Sequence, residues 1–150
     1  MTTIKLIFIL LVISLFSGCA SQSFSEGGLK ESYKPVAINN VDKSDAALIK
    51  AATGLSIWKI DGERQVNGFK VLFKGGYDSV LLSEGFHTIS GTMGRDVNIG
   101  RTYYKKGHEY LIDYLKVMNG RSGKIYYWVK DMTDGKVVYG KEKNKSEFKK

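Results

Sequence analysis

The stretch WVKDMTDGKVVYG, residues 128–140, decides the fold class. Trp128 to Lys130 and Val137 to Tyr139 are short runs of aromatic and β-branched character, and the turn between them ends in Asp134-Gly135. Glycine supplies the positive φ that a tight hairpin needs, so the stretch reads as two antiparallel strands. Outward from it the same punctuation recurs: Asp61-Gly62, Gly75-Gly76, Glu84-Gly85, Gly94, Lys106-Gly107 and Asn119-Gly120 separate short segments with a period of two. These predict strands over Leu55 to Asp61, Phe69 to Phe73, Ser79 to Leu82, Phe86 to Met93, Val97 to Tyr104, Glu109 to Val117, Lys124 to Asp131 and Lys136 to Tyr139. No βαβ alternation interrupts them. Residues 36–140 are therefore expected to form an all-β, mainly antiparallel domain, a sandwich or small barrel of about seven to eight strands.

One segment reads differently. SDAALIKAATG, from Ser44 to Gly54, has serine at an N-cap position, an acid in the first turn, an alanine-rich body and a closing glycine. That pattern predicts one short helix over about Asp45 to Ala52.

A chain of 150 residues with 43% hydrophobic and 12% aromatic side chains has apolar material for one core. One cysteine, Cys19, excludes an internal disulfide and any multi-cysteine metal site. The net charge of +8 favours anionic partners.

The N-terminus assigns a compartment. Lys5 is followed by the apolar run Leu6 to Phe16, broken only by Ser14, and then by the small pair Ser17-Gly18. This is the layout of a signal peptide over residues 1–18, and the run is shorter than the roughly 20 residues a permanent span needs. Residues 19–35 contain little to pack and are expected to be a flexible tether. Residues 141–150, KEKNKSEFKK, are expected to be a solvated basic tail.

SLFSGCA, residues 14–20, resembles the lipobox of bacterial lipoproteins, with Phe16 where that motif usually has leucine. The resemblance implies diacylglycerol attachment at Cys19, and Ala20 after it implies sorting to an outer membrane, facing the periplasm. IWKIDGERQ and the following segment to Gly91 are similar to β-modules of small bacterial lipoproteins of unknown function, PEGA-like ones included. Asp61-Gly62, Leu82, Gly85, His87 and Ile89 carry that likeness, with Glu84 where the PEGA-like modules have proline. It implies a β-rich extracytoplasmic domain and transfers no active-site residue.

No Gly-x-Ser-x-Gly elbow, phosphate-cradling glycine loop or paired-histidine metal spacing occurs, and NGRSG reads as a turn. No catalytic residue, metal or cofactor is therefore expected. The candidate binding surface is a row of aromatic and basic side chains on neighbouring strands: Tyr103, Tyr104, Tyr110, Tyr114, Tyr126 and Trp128 with Lys105 and Lys124. The expected protein is a lipid-anchored, non-catalytic envelope module, reaching the membrane through its anchor and binding an envelope protein or an anionic cell-wall polymer. Export removes nucleic acid from consideration. The alternative is an envelope hydrolase with a carboxylate and histidine site drawn from Asp61, His87 and His108.

Overall fold

The computed structural model describes residues 22–65 and 76–148. Cys19, the signal segment and the expected strand Phe69 to Phe73 lie outside these. Eleven strands are present among the described residues: β1 (Gln22–Glu26), β2 (Val36–Ala37), β3 (Ala46–Ala51), β4 (Ser56–Ile60), β5 (Glu63–Arg64), β6 (Ser79–Ser83), β7 (Gly85–Thr92), β8 (Asp96–Tyr104), β9 (Glu109–Asn119), β10 (Ser122–Asp131) and β11 (Lys136–Gly140). They form two sheets, one in the order β11-β10-β9-β3-β6-β2 with β1 also on β9, the other β5-β4-β7-β8. Pairing is antiparallel except for β2 with β6 and β3 with β9. The architecture is an all-β, sandwich-like pair of sheets that does not close into a barrel.

The helix expected over Asp45 to Ala52 is overturned: Ala46–Ala51 is the strand β3, preceded by a single 3₁₀ turn at Lys43–Asp45. The segment also satisfies a period of two. Ala47, Ile49 and Ala51 are completely buried, while Ala46, Leu48 and Lys50 point to the other face. β3 pairs with β6 along one edge and β9 along the other. Two backbone ladders and the burial of one whole face outweigh the few tenths of a kcal/mol per residue by which alanine favours helix.

The core lies between the sheets. Ile49, Val80, Leu82, Tyr110 and Ile112 of the large sheet meet Ile57, Ile89, Val97, Ile99 and Tyr104 of the small one. Along one side the layers touch directly, where the Tyr139 hydroxyl donates to the Asn98 carbonyl at 3.4 Å across Gly100.

β9 is long enough to hold β3 at its start and β1 at its end on the same edge. Gln22–Glu26, expected to be part of a tether, is thus an ordered strand running antiparallel to Leu115–Asn119. Phe24 joins Leu115, Val117 and Trp128 in a second, smaller cluster on the outer face, to which Tyr126 and Phe148 also pack. The basic tail is anchored at that point: among its described residues it forms a 3₁₀ turn, Lys145–Phe148, and Lys145 pairs with Glu26 at 3.0 Å.

Candidate functional site

The outer face of the large sheet carries Ala46, Leu48 and Lys50 of β3 beside Leu81 of β6. The segment Gly27–Pro35 crosses above them as a strap. Its first turn is fixed by Gly27 N–H donating to Tyr114 O at 3.2 Å and Gly28 N–H to Asp113 Oδ1 at 3.0 Å. Only glycine fits at residue 27, since a Cβ there would lie 2.5 Å from the Ala52 methyl. Farther on, the Tyr33 hydroxyl donates to Ala51 O at 3.2 Å and accepts from Lys30 N–H at 3.1 Å.

Between strap and sheet is a cleft of about 570 Å³ with an apolar floor that includes Leu48 and Leu81. Lys30, Lys43 and Lys50 line it together with Glu31 and Glu109. Lys50 is paired with Glu109 at 2.5 Å, and the ammonium groups of Lys30 and Lys50 lie 5.9 and 5.1 Å from the centre of the Tyr33 ring. Among the described residues Lys30 and Lys43 have no carboxylate partner. Three lysines against two glutamates leave the lining with a small excess of positive charge above an apolar floor.

His108 forms one wall of the cleft. Its Nδ1 is 2.8 Å from Oδ2 of Asp131, which is only 2% exposed. Asp131 Oδ1 accepts from the N–H groups of Thr133 and Asp134, so the carboxylate closes the β10–β11 turn. Burial pushes the Asp131 carboxyl up, but the bonds from His108, Asp134 and Thr133 outweigh it and hold the group below its ordinary value. Asp134 lies close enough for the three side chains to reach a common ion, yet Asp131 already spends one oxygen on two backbone donors.

A second pair mirrors the first. His87 Nδ1 is 2.6 Å from Asp61 Oδ2, and His87 Nε2 is 2.9 Å from the Ser83 carbonyl. Asp61 Oδ1 accepts from Thr88 N–H at 2.8 Å. Burial raises the Asp61 carboxyl, and the His87 and Thr88 hydrogen bonds more than reverse this, leaving it lowered. Both ring nitrogens of His87 are occupied, so this pair clamps the Asp61-Gly62 turn onto β7 and leaves no nitrogen for a substrate. The structure thus brings Asp61 and His87 together, and places His108 in a separate pair.

Between the two pairs the rings of Tyr104 and Tyr110 meet edge to face at 4.9 Å, with His87 6.3 Å from Tyr104 and His108 6.2 Å from Tyr110. The expected aromatic binding row is therefore largely interior. Tyr104, Tyr110, Tyr114 and Trp128 are buried, because sheet pairing leaves both faces of β9 covered: one by the small sheet, the other by the Phe24 cluster. Tyr110 accepts from Lys105 N–H at 2.9 Å and Tyr114 donates to Thr53 O at 2.9 Å. Tyr126 is half-buried against Phe148.

Three of the expected residues stay outside. Tyr103, 42% exposed, stands edge-on to Phe86 and donates to Glu84 at 2.6 Å, which raises the pKa of its phenol. Lys105 and Lys124 are exposed, Lys105 beside the β8–β9 turn and Lys124 near the start of β10, where it lines a groove with Tyr126 and Phe148. The cleft residues Lys30, Tyr33, Lys43 and Lys50 were not legible, since no spacing in the chain announces that a strap will cross a strand. Reading β3 with a period of two would have placed Lys50 on the outer face.

No protein-family model matches the chain, and neither a curated protein nor a solved structure matches it.

Proposed function

We propose that the chain is a lipid-anchored protein of the bacterial envelope whose β-domain is a binding module, and that the cleft beneath the strap takes an anionic segment of a cell-wall polymer. The cleft carries this reading: two lysines without carboxylate partners and a third stacked on Tyr33 surround an apolar floor large enough for a sugar-sized group. The lipobox-like SLFSGCA supports the anchor and the compartment. Retention of the protein on purified cell-wall sacculi, followed across a salt series, tests it. Binding is expected to weaken as salt rises and to fall at least tenfold in Lys30→Glu/Lys43→Glu, while Lys59→Glu on the small sheet leaves it unchanged. Absence of retention at low salt, or indifference to the double substitution, sinks the proposal; retention by an acidic peptide in place of the polymer redirects it to a protein partner.

An envelope hydrolase is the second reading, favoured by the His108–Asp131 pair in the cleft wall. Ser32 lines the same cleft and would be the nucleophile, with His108 as base. Labelling of Ser32 by a fluorophosphonate, lost in His108→Ala, supports that reading, and an unlabelled wild-type protein removes it.

A further inference from the structure

The domain has two chemically different ends. At one end lie the β4–β5, β6–β7, β8–β9 and β10–β11 turns, where charges of both signs meet and are paired: Asp61 with His87, Asp134 with Lys105, Asp45 with Lys106 and Asp131 with His108. At the other lie the β7–β8 turn, Met93 to Arg95, and the β9–β10 turn around Gly120-Arg121. These two sit side by side, since Met93, Arg95, Lys116, Met118 and Ile125 share a cavity of about 140 Å³. Arg95, Lys116, Arg121 and Lys124 belong to this second end, and among the described residues none of the four is in an ion pair. Asp96 flanks them. The half-buried side chains of Met93, Met118 and Ile125 lie beside Arg95 and Lys116, and Met93 and Ile125 pack against the core, so this end sets cations around an apolar edge.

The chain enters the domain at the same end. Gln22 pairs with Asn119, the residue that opens the β9–β10 turn. Cys19 precedes Gln22 by three residues, a reach of no more than about 10 Å even when fully extended.

We propose that the β7–β8 and β9–β10 turns dock directly on an anionic phospholipid bilayer, so that the domain stands end-on with the β4–β5 and β10–β11 turns farthest from it. The short reach from Cys19 rests on the lipid-anchor reading; the unpaired cations do not. Docking puts Arg95, Lys116, Arg121 and Lys124 within a Debye length of the headgroups, where each adds to the attraction. The strap and its cleft then lie above the docked end, open to the periplasmic side.

The full chain, expressed with its own signal and reconstituted in vesicles of phosphatidylglycerol with phosphatidylcholine, tests this with a photo-cross-linking residue at Ser122 or, at the opposite end, at Glu63. Circular dichroism checks that each variant folds, and mass spectrometry of the Cys19 peptide reports the anchor separately. Phospholipid adducts are expected from position 122 and not from 63, and their yield is expected to fall in phosphatidylcholine alone and roughly fivefold for each cation neutralised in Lys116→Gln and Lys124→Gln. Lipid on Cys19 with equal adducts from both positions, or with none, overturns docking and leaves the anchor standing. Adducts from 122 on a chain without lipid at Cys19 uphold docking and overturn the anchor. Adducts to a second copy of the chain in place of phospholipid overturn docking.

Discussion

Tyr104 is fully buried, and its hydroxyl has no hydrogen-bond partner among the described residues. Burial drives its ionisation well above the ordinary phenol range. An unpaired buried hydroxyl costs about 1–3 kcal/mol of desolvation. Tyr104→Phe keeps the ring against Tyr110 and is therefore expected to leave stability unchanged or raise it, as measured by urea unfolding. Asp131 behaves oppositely, because its carboxylate is satisfied by three donors in a buried site. Its pKa is lowered in the folded chain from 3.8, so its contribution is present above that value and lost as pH falls toward the depressed one. Asp131→Asn is expected to cost about 1–3 kcal/mol at neutral pH and to flatten the acid limb of the stability profile. His108 was legible in the sequence as a residue beside a turn, whereas its partner is 23 positions away and was set by the β9–β10 register.

Among the elements, β1 and the strap answer most sharply to experiment. Their amides are tied to β9 and to Asp113, so hydrogen exchange at Gly27 and Gly28 is expected to be slowed well below the rate of a free segment. Rapid exchange through residues 22–28 would restore the tether reading. The segment leading into β6 bridges the two sheets, since Ile57 and Tyr77 exchange backbone hydrogen bonds at 2.7 Å. Gly76 precedes this bridge with φ 116°, and a Cβ there would lie 2.3 Å from Ile57 O. Gly76→Ala is expected to destabilise by about 2 kcal/mol or more, read from the urea midpoint. The hairpin strands β7 to β11 were legible because each has a period of two and glycine at its turn. β3 was not, because alanine, leucine and lysine are good helix formers and the strand's support comes from β6 and β9, both distant in sequence.

At the scale of the whole molecule, the division of charge between the two ends and the position of the cleft belong together. With unpaired cations at one end and paired charges of both signs at the other, the chain has a direction as well as a core. That direction predicts a salt effect of two kinds. Raising ionic strength is expected to weaken contacts made by the unpaired lysines and arginines and to leave the buried His108–Asp131 pair nearly untouched, because screening acts on exposed charges. Thermal unfolding followed across a salt series checks this: a midpoint shifting by only a few degrees is expected, while retention on sacculi changes severalfold.

By itself the sequence determined that the chain is mainly strand and where the hairpins from β7 to β11 turn, because strand period and turn glycines are local properties. Tertiary structure alone decided that Ala46–Ala51 is a strand, that Gln22–Glu26 is held rather than free, and that most of the aromatic row is core. It also decided which lysines share a cleft. Each of these depends on partners far apart in the chain, and backbone pairing with burial between two sheets outweighs the local preference that a single segment expresses.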